Sequence, residues 1–79
     1  MNVEEYRMRL GKNILSLRKH YGISRKSLAM LIKMPVTRLR RIEMGDPLAK
    51  MYDFHVKRVA RVFGISTDEL LDESVNMEC

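Results

Sequence analysis

Residues 24–45, SRKSLAMLIKMPVTRLRRIEMG, hold the pattern that decides the fold of this chain. Ser24 can cap a first helix, because its hydroxyl can accept a hydrogen bond from a backbone N–H of the first turn. Pro35 cannot continue that helix, but it suits the first position of a second one, where its missing N–H costs nothing. Gly45 can take the left-handed conformation that ends the second helix. Two short helices with so short a connection predict a helix-turn-helix.

The flanking segments predict three more helices. Residues 3–20 and 51–63 have apolar residues at helical spacing, and Ser66 or Thr67 can cap a last short helix. The predicted buried face of the first segment is Tyr6, Leu10, Ile14 and Leu17. That of the second is Tyr52, Val56, Val59, Ala60 and Phe63. Gly11 inside the first helix counts as a cost of about 1 kcal/mol. Since no stretch alternates as a strand does, the chain is predicted to be all-α.

Length and composition set the organisation of the chain. The 79 residues suffice for one small domain, which we expect over residues 1–73, with a frayed tail over 74–79. Cys79 is the only cysteine, so no disulfide can form within the chain, and a cytoplasmic location is favoured. No apolar run approaches the roughly 20 residues that span a membrane, and the N-terminus lacks an apolar signal core.

The charges are segregated along the chain. Residues 6–42 contain eleven Lys or Arg and no Asp or Glu, whereas residues 62–79 contain five acids and no Lys or Arg. This pattern predicts one basic face and one acidic end. A basic face attracts polyanions through counterion release, and duplex nucleic acid is the commonest such partner. The alternative is that the exposed cations only keep the protein in solution.

A series of short motifs runs in order through residues 10–71. They are Gly11-Lys12, Ile14, Leu17-Arg18, Gly22-Ile23-Ser24, Leu28-Ala29, Leu39, Ile42-Glu43, Gly45, Val59-Ala60, Phe63-Gly64-Ile65-Ser66 and Asp68-Glu69-Leu70-Leu71. Together they resemble the Cro/CI-type (XRE) helix-turn-helix domain of lambdoid phage repressors and many bacterial regulators. The resemblance implies a compact five-helix, lambda-repressor-like domain. It also implies an ion pair between Arg18 and Glu43 that ties the first helix to the end of the third.

The resemblance further implies how the domain meets DNA. The helix near residues 35–44 would lie in the major groove, and the helix from 24 to 32 would cross the backbone. The candidate base contacts are Val36, Thr37, Arg38 and Arg41. The candidate phosphate contacts are Lys12, Arg25, Lys26 and Arg40. Arg can bridge guanine O6 and N7, and Val or Thr methyl groups can meet the thymine methyl. The alternative is that these arginines contact phosphate alone and carry no sequence information.

Three positions depart from the family pattern. Arg25 stands where the family usually has Gln, and Pro35 stands where it usually has a Ser or Thr cap. Lys33 occupies the turn position that is usually a left-handed Gly. Because a non-Gly residue there costs roughly 1–2 kcal/mol, a turn of different construction is an alternative to the left-handed one, and the sequence leaves the two open.

These observations predict a sequence-specific, double-stranded DNA-binding transcriptional regulator of the repressor type. One domain this small reads few base pairs, so a homodimer on a palindromic operator, with half-sites roughly 34 Å apart, is expected. The alternative is an antitoxin or accessory module that uses the same fold to bind a protein partner. No acid–base or nucleophile constellation is visible, so neither an enzyme nor a cofactor is expected.

The remaining residues that could carry chemistry are given structural interpretations. Met8, Met30, Met34 and Met51 are interpreted as core fillers, and Met44 as exposed. His20 and His55 have no Cys or acid at metal-ligand spacing, so no metal site is predicted.

Overall fold

The structure, a computed structural model, describes residues 3–46 and 48–71. Its helices are α1 (Val3–Tyr21), α2 (Arg25–Ile32), α3 (Val36–Glu43), α4 (Asp53–Phe63) and α5 (Thr67–Leu70). The described residues contain no strand, so the prediction of an all-α, five-helix fold is confirmed. No helix in this part of the chain combines the length and apolar character needed to cross a membrane. The proposed domain end at residue 73 and the tail over 74–79 lie outside the described residues.

The core forms where each helix turns its apolar stripe inward. α1 packs against α3 and α5, α2 packs against α3 and α4, and α4 also packs against α5. The buried apolar helical residues are Leu10, Ile14, Leu17, Leu28, Ala29, Ile32, Leu39, Ile42, Val56, Val59, Ala60, Phe63 and Leu70. Because α3 uses one face against α1 and α2, its opposite face stays at the surface.

Gly11 allows α1 and α3 to approach each other closely. A Cβ at this position would overlap the carbonyl oxygen of Ile42 and would lie 2.9 Å from its carbonyl carbon. Judged by helix propensity alone, Gly11 is only a cost to the stability of α1. In the folded chain the missing side chain is what lets the backbone of α3 sit against α1.

The turn between α2 and α3 has the left-handed residue that the sequence disfavoured. Lys33 has φ 56° and ψ 53°. The Met34 N–H donates to the Ala29 carbonyl at 2.9 Å, the long-range bond of a Schellman motif. Of the two alternatives, the left-handed turn is the one formed. This hydrogen bond, the one from the Lys33 N–H to the Met30 carbonyl at 3.3 Å and the burial of Met34 offset the strain at Lys33. α3 starts one residue later than predicted, since Pro35 is its N-cap.

Two of the methionines predicted as core fillers are exposed. Met8 and Met30 lie at the surface, whereas Met34 is buried and Met51 is partly buried against the core. The reason is helical phase: each exposed methionine is two positions, about 200°, away from a buried leucine of its own helix. Met44 is exposed, as expected.

The start of α4 also differs from the prediction. α4 begins at Asp53 and not at residue 51, and its N-cap is Tyr52, a residue that is 54% exposed. His55 takes the inward position instead and is buried. Its Nδ1 accepts a hydrogen bond from the Tyr52 N–H at 3.3 Å, so an imidazole caps the first turn. The rest of the predicted apolar face of α4 is buried, as expected.

The short helix α5 is fixed at both ends. The Ser66 hydroxyl accepts from the Glu69 N–H at 3.0 Å, and the Glu69 carboxylate accepts from the Ser66 N–H at 3.1 Å. This reciprocal pair is a capping box, so the predicted cap at Ser66 is confirmed. At the other end, buried Asn13 of α1 donates from Nδ2 to the Leu70 carbonyl at 2.6 Å. α1 is thereby tied to the last helix.

Candidate nucleic-acid interface

The outer face of α3 is the most strongly cationic surface of the helix-turn-helix. Leu39 and Ile42 turn inward and are buried. The side chains left at the surface are Val36, Thr37, Arg38, Arg40 and Arg41. All four predicted base-contact candidates are therefore exposed on α3, as is Arg40.

No acid is exposed between residues 24 and 45. The one carboxylate in that segment belongs to Glu43, whose side chain is fully buried. The exposed cations of the same segment are Lys26, Lys33, Arg38, Arg40 and Arg41. A polyanion that approaches α2 and α3 therefore meets cations without an exposed carboxylate of that segment to repel it.

Two arginines from different helices converge on Glu43. Arg18 of α1 donates from Nε at 2.8 Å and from Nη2 at 3.0 Å, in the bidentate geometry that suits a carboxylate. Arg25 of α2 donates from Nε at 2.9 Å. Arg18 also donates to the Ile23 carbonyl, at 3.1 Å, in the connection between α1 and α2. The structure thus brings Arg18 and Glu43 together, and it adds Arg25 to the cluster.

Because of this cluster, Arg25 is less available to contact phosphate than the other three phosphate candidates. Its Nε is engaged with Glu43, and its side chain is only about one-third exposed. Lys12, Lys26 and Arg40 are all exposed. Lys12 lies in a groove between α1 and the end of α3, beside Met44.

Arg41 is held by a carboxylate from the loop that follows α3. Its Nε donates to Asp46 Oδ2 at 2.8 Å. The other oxygen, Asp46 Oδ1, accepts from the Leu48 N–H at 2.9 Å. The Leu48 hydrogen bond first, and then the one from Arg41, hold the pKa of Asp46 below its ordinary value. A charged carboxylate therefore sits at the edge of the cationic face.

A residue of α4 supports the helix-turn-helix from behind. Arg58 donates from Nη1 to the Ile32 carbonyl at 3.2 Å, at the C-terminal end of α2, where a cation is favoured. Its guanidinium carbon lies 5.1 Å from the centre of the Phe54 ring. Burial, and then the positive charges of Arg58 and Arg38, lower the pKa of His55.

Asp46, Arg58 and Asn13 were not among the residues predicted for the site. Asp46 carried a local signal, because an Asp directly after a helix-ending Gly can accept from the backbone two residues on. The partners of Arg58 and Asn13 lie 26 and 57 residues away, so no local pattern could have shown them. Within the part of the chain that the structure describes, no group of His, Cys, Asp and Glu could hold a metal ion.

In the described residues, α2 and α3 form a helix-turn-helix within an all-α fold of five helices, and cations lie along the exposed face of α3. This arrangement defines the class of helix-turn-helix DNA-binding domains. The family model described as "Helix-turn-helix" matches residues 14–70. The chain is therefore a member of this family, of the Cro/CI type, and the family indicates a DNA-binding transcription regulator with duplex DNA as its partner. No curated protein and no solved structure gives a match to the chain.

Proposed function

We propose that this chain is a cytoplasmic repressor that reads a specific sequence of double-stranded DNA in the major groove. The observation that carries the proposal is the exposed face of α3, which combines apolar and hydroxyl groups at Val36 and Thr37 with three arginines. In the major groove, guanine O6 and N7 accept hydrogen bonds from an arginine guanidinium, and the thymine methyl makes apolar contact with Val or Thr methyl groups. A bound domain can block transcription by occupying the promoter, which requires only tight and specific binding.

The residues divide into two roles. Thr37 and Arg41 are four positions apart on one helical face and are proposed as the main base contacts. Arg38 and Val36 are proposed as further base contacts. Phosphate contacts are assigned to Lys12, Lys26 and Arg40, and to Arg25 through its terminal nitrogens, since its Nε binds Glu43. Phosphate contacts fix the register of the domain, and base contacts select the sequence.

The single domain is proposed to bind as a homodimer. One α3 covers only a few base pairs, whereas two copies related by a twofold axis would read a palindrome with half-sites roughly 34 Å apart. The length of the selected palindrome and its centre-to-centre spacing test this geometry directly.

The deciding experiment is selection of bound duplexes from a random DNA pool at about 0.15 M salt. Wild type is compared with Arg41→Ala and with Arg61→Ala, which removes an exposed cation from α4. We expect wild type and Arg61→Ala to select the same palindrome and Arg41→Ala to select a changed one. Selection of no sequence by wild type, with binding that disappears as salt is added, would rule out the sequence-reading function.

A protein-interaction module is the second candidate, and one observation favours it. Tyr52 and Phe54 are both exposed, and their rings stack at 5.9 Å with an angle of 10° between their planes. Exposed aromatic pairs are typical anchors of protein interfaces. If the DNA selection returns no sequence, loss of partner binding in Tyr52→Ala and Phe54→Ala would support this second function.

A further inference from the structure

Asp46 and Arg41 are joined by two independent hydrogen bonds at the end of α3. The Arg41 guanidinium donates from Nε to the Asp46 carboxylate at 2.8 Å, and the Asp46 N–H donates to the Arg41 carbonyl at 3.0 Å. The backbone bond forms because Gly45, with φ 78°, reverses the chain there. The chain reversal that ends α3 therefore also brings the carboxylate to the side chain of a proposed base reader.

The loop fixes the carboxylate itself. Oδ1 accepts from the Leu48 N–H at 2.9 Å, and the Asp46 carbonyl accepts from the Ala49 N–H at 3.1 Å. With one oxygen bound to the loop backbone, the other can face Arg41 in only a narrow range of orientations. The Asp46 side chain is about 29% exposed, and that of Arg41 is about 52% exposed, so the pair lies at the protein surface.

The charge of Asp46 is hard to explain if α3 only attracts phosphate. Residues 24–45 have no exposed acid, so Asp46 puts a negative charge at the edge of an otherwise cationic face. This charge weakens attraction to any duplex, whatever its sequence. A cation whose only task is to bind phosphate gains nothing from being neutralised in this way. The placement is useful when the orientation of the guanidinium matters more than its net charge.

The geometry of the guanidinium supports that use. The Arg41 guanidinium has five N–H donors in a rigid plane, and Asp46 engages the one on Nε. Recognition of guanine O6 and N7 requires two parallel donors, which the Nη1 and Nη2 edge supplies. An arginine already held in one orientation loses less conformational freedom when it binds, so more of its contact energy is available to distinguish bases.

We infer that Asp46 is a specificity-determining residue that positions Arg41 to recognise guanine in the major groove. The inference rests on the proposed function, because it requires that α3 reads duplex DNA. Asp46 itself touches no base and acts through Arg41.

Asp46→Asn separates this role from the folding of the loop. Asparagine keeps a side-chain oxygen that can accept from the Leu48 N–H, but it removes the negative charge that Arg41 binds. The matched control is Asp53→Asn, which removes an exposed carboxylate on α4 that pairs with Lys57. Thermal unfolding of each variant checks that the fold is retained.

The experiment measures binding to the duplex selected by the wild type and to its single-base-pair variants. It uses wild type, Asp46→Asn, Arg41→Ala, the double variant and Asp53→Asn. We expect Asp46→Asn to lose about tenfold in discrimination at one G·C pair and to bind unrelated duplexes at least as well as wild type. Arg41→Ala should lose discrimination at the same pair. In the Arg41→Ala background, Asp46→Asn should cause no further loss of discrimination at that pair, although affinity for all duplexes can rise because a negative charge is removed.

The outcomes distinguish the failure of the inference from that of the proposed function. Tighter binding by Asp46→Asn with unchanged discrimination would mean that Asp46 holds Arg41 away from DNA, and would overturn the inference. Unchanged discrimination with unchanged binding would reduce Asp46 to a loop residue and would also overturn it. If Arg41→Ala leaves every base preference unchanged, the inference is wrong although the protein still reads sequence. If wild type discriminates between no duplexes, the proposed function itself fails.

Discussion

Glu43 at the C-terminal end of α3 accepts a bidentate pair of hydrogen bonds from Arg18 of α1, at 2.8 and 3.0 Å. Arg25 of α2 donates a third, at 2.9 Å, to the same carboxylate. Three helices are thus joined through a side chain that has no contact with solvent. Because two of these helices form the helix-turn-helix, the cluster sets how α3 is held on the rest of the domain.

Glu43→Gln should destabilise the protein by about 3 kcal/mol, because it leaves two arginines without the carboxylate they share while keeping the side-chain volume. Urea denaturation followed by circular dichroism measures the change. Asp53→Asn is the control, since its pair with Lys57 is exposed and should contribute less than about 0.5 kcal/mol. Equal losses in the two variants would show that the buried cluster does not hold the helices together.

Gly11→Ala should lower the free energy of unfolding by about 1–3 kcal/mol, because the new Cβ would overlap the Ile42 carbonyl oxygen. This net loss already includes the better helix propensity of alanine, which is worth about 1 kcal/mol in the opposite direction. Lys19→Ala, at an exposed position of the same helix, should stay within about 0.5 kcal/mol of wild type. A Gly11→Ala protein that is more stable than wild type would contradict the close approach of α1 and α3.

Lys33→Gly should stabilise the protein by about 1 kcal/mol, because glycine takes the left-handed conformation at φ 56° without strain. For a domain of this size, the midpoint of thermal unfolding should rise by about 4–8 °C. Lys26→Gly tests the same exchange in the right-handed first turn of α2, where it should lower the midpoint instead. A fall in both variants would argue against a left-handed turn at residue 33.

His55 should make the protein less stable in mild acid. Burial and the charges of Arg58 and Arg38 lower its pKa from the ordinary value of 6.5, so the unfolded chain takes up a proton that the folded chain does not. The free energy of unfolding is therefore at its full value above pH 6.5 and falls as the pH drops below it, by at most about 1.4 kcal/mol per pH unit for one proton.

Urea denaturation at a series of pH values between about 7.5 and 5.5 measures this dependence. His55→Gln is the matched variant, because Gln at the same position of α4 can still accept from the Tyr52 N–H but does not titrate. It should show a flatter dependence than wild type over this range. An identical slope in both proteins would assign the effect to other groups.

The helices and most of their ends could be predicted from sequence because their signals are local. Helical spacing of apolar residues marks α1 to α4, and the hydroxyls at Ser24 and Ser66 cap helices within three residues of themselves. The errors occurred where local rules compete. Lys33 adopts a conformation that its own propensity disfavours, because the hydrogen bonds of the turn and the packing around it outweigh the strain.

The candidate site could be predicted in part. The exposed face of α3 follows from the phase of Leu39 and Ile42, since residues between two buried positions of an amphipathic helix must face outward. Partner choice did not follow from phase. Arg25 was predicted to contact phosphate, and the structure shows that its Nε binds Glu43, because α2 and α3 bring these side chains together across 18 residues of chain. The proposed phosphate contact of Arg25 is therefore left to its terminal nitrogens.

The sequence by itself determined the class of fold, the five helices of the described residues and the cationic face, because periodicity, capping and charge act over a few residues. Only the tertiary structure decided which charges are neutralised and which remain available. The packing of helices and loops determines which arginines form ion pairs with Glu43 and Asp46. Gly11 is required only because the backbone of α3 lies against it. The contacts of Glu43 and Gly11 join elements far apart in the chain, so no local pattern encodes them, whereas the pair of Arg41 and Asp46 depends on the reversal of the chain at Gly45.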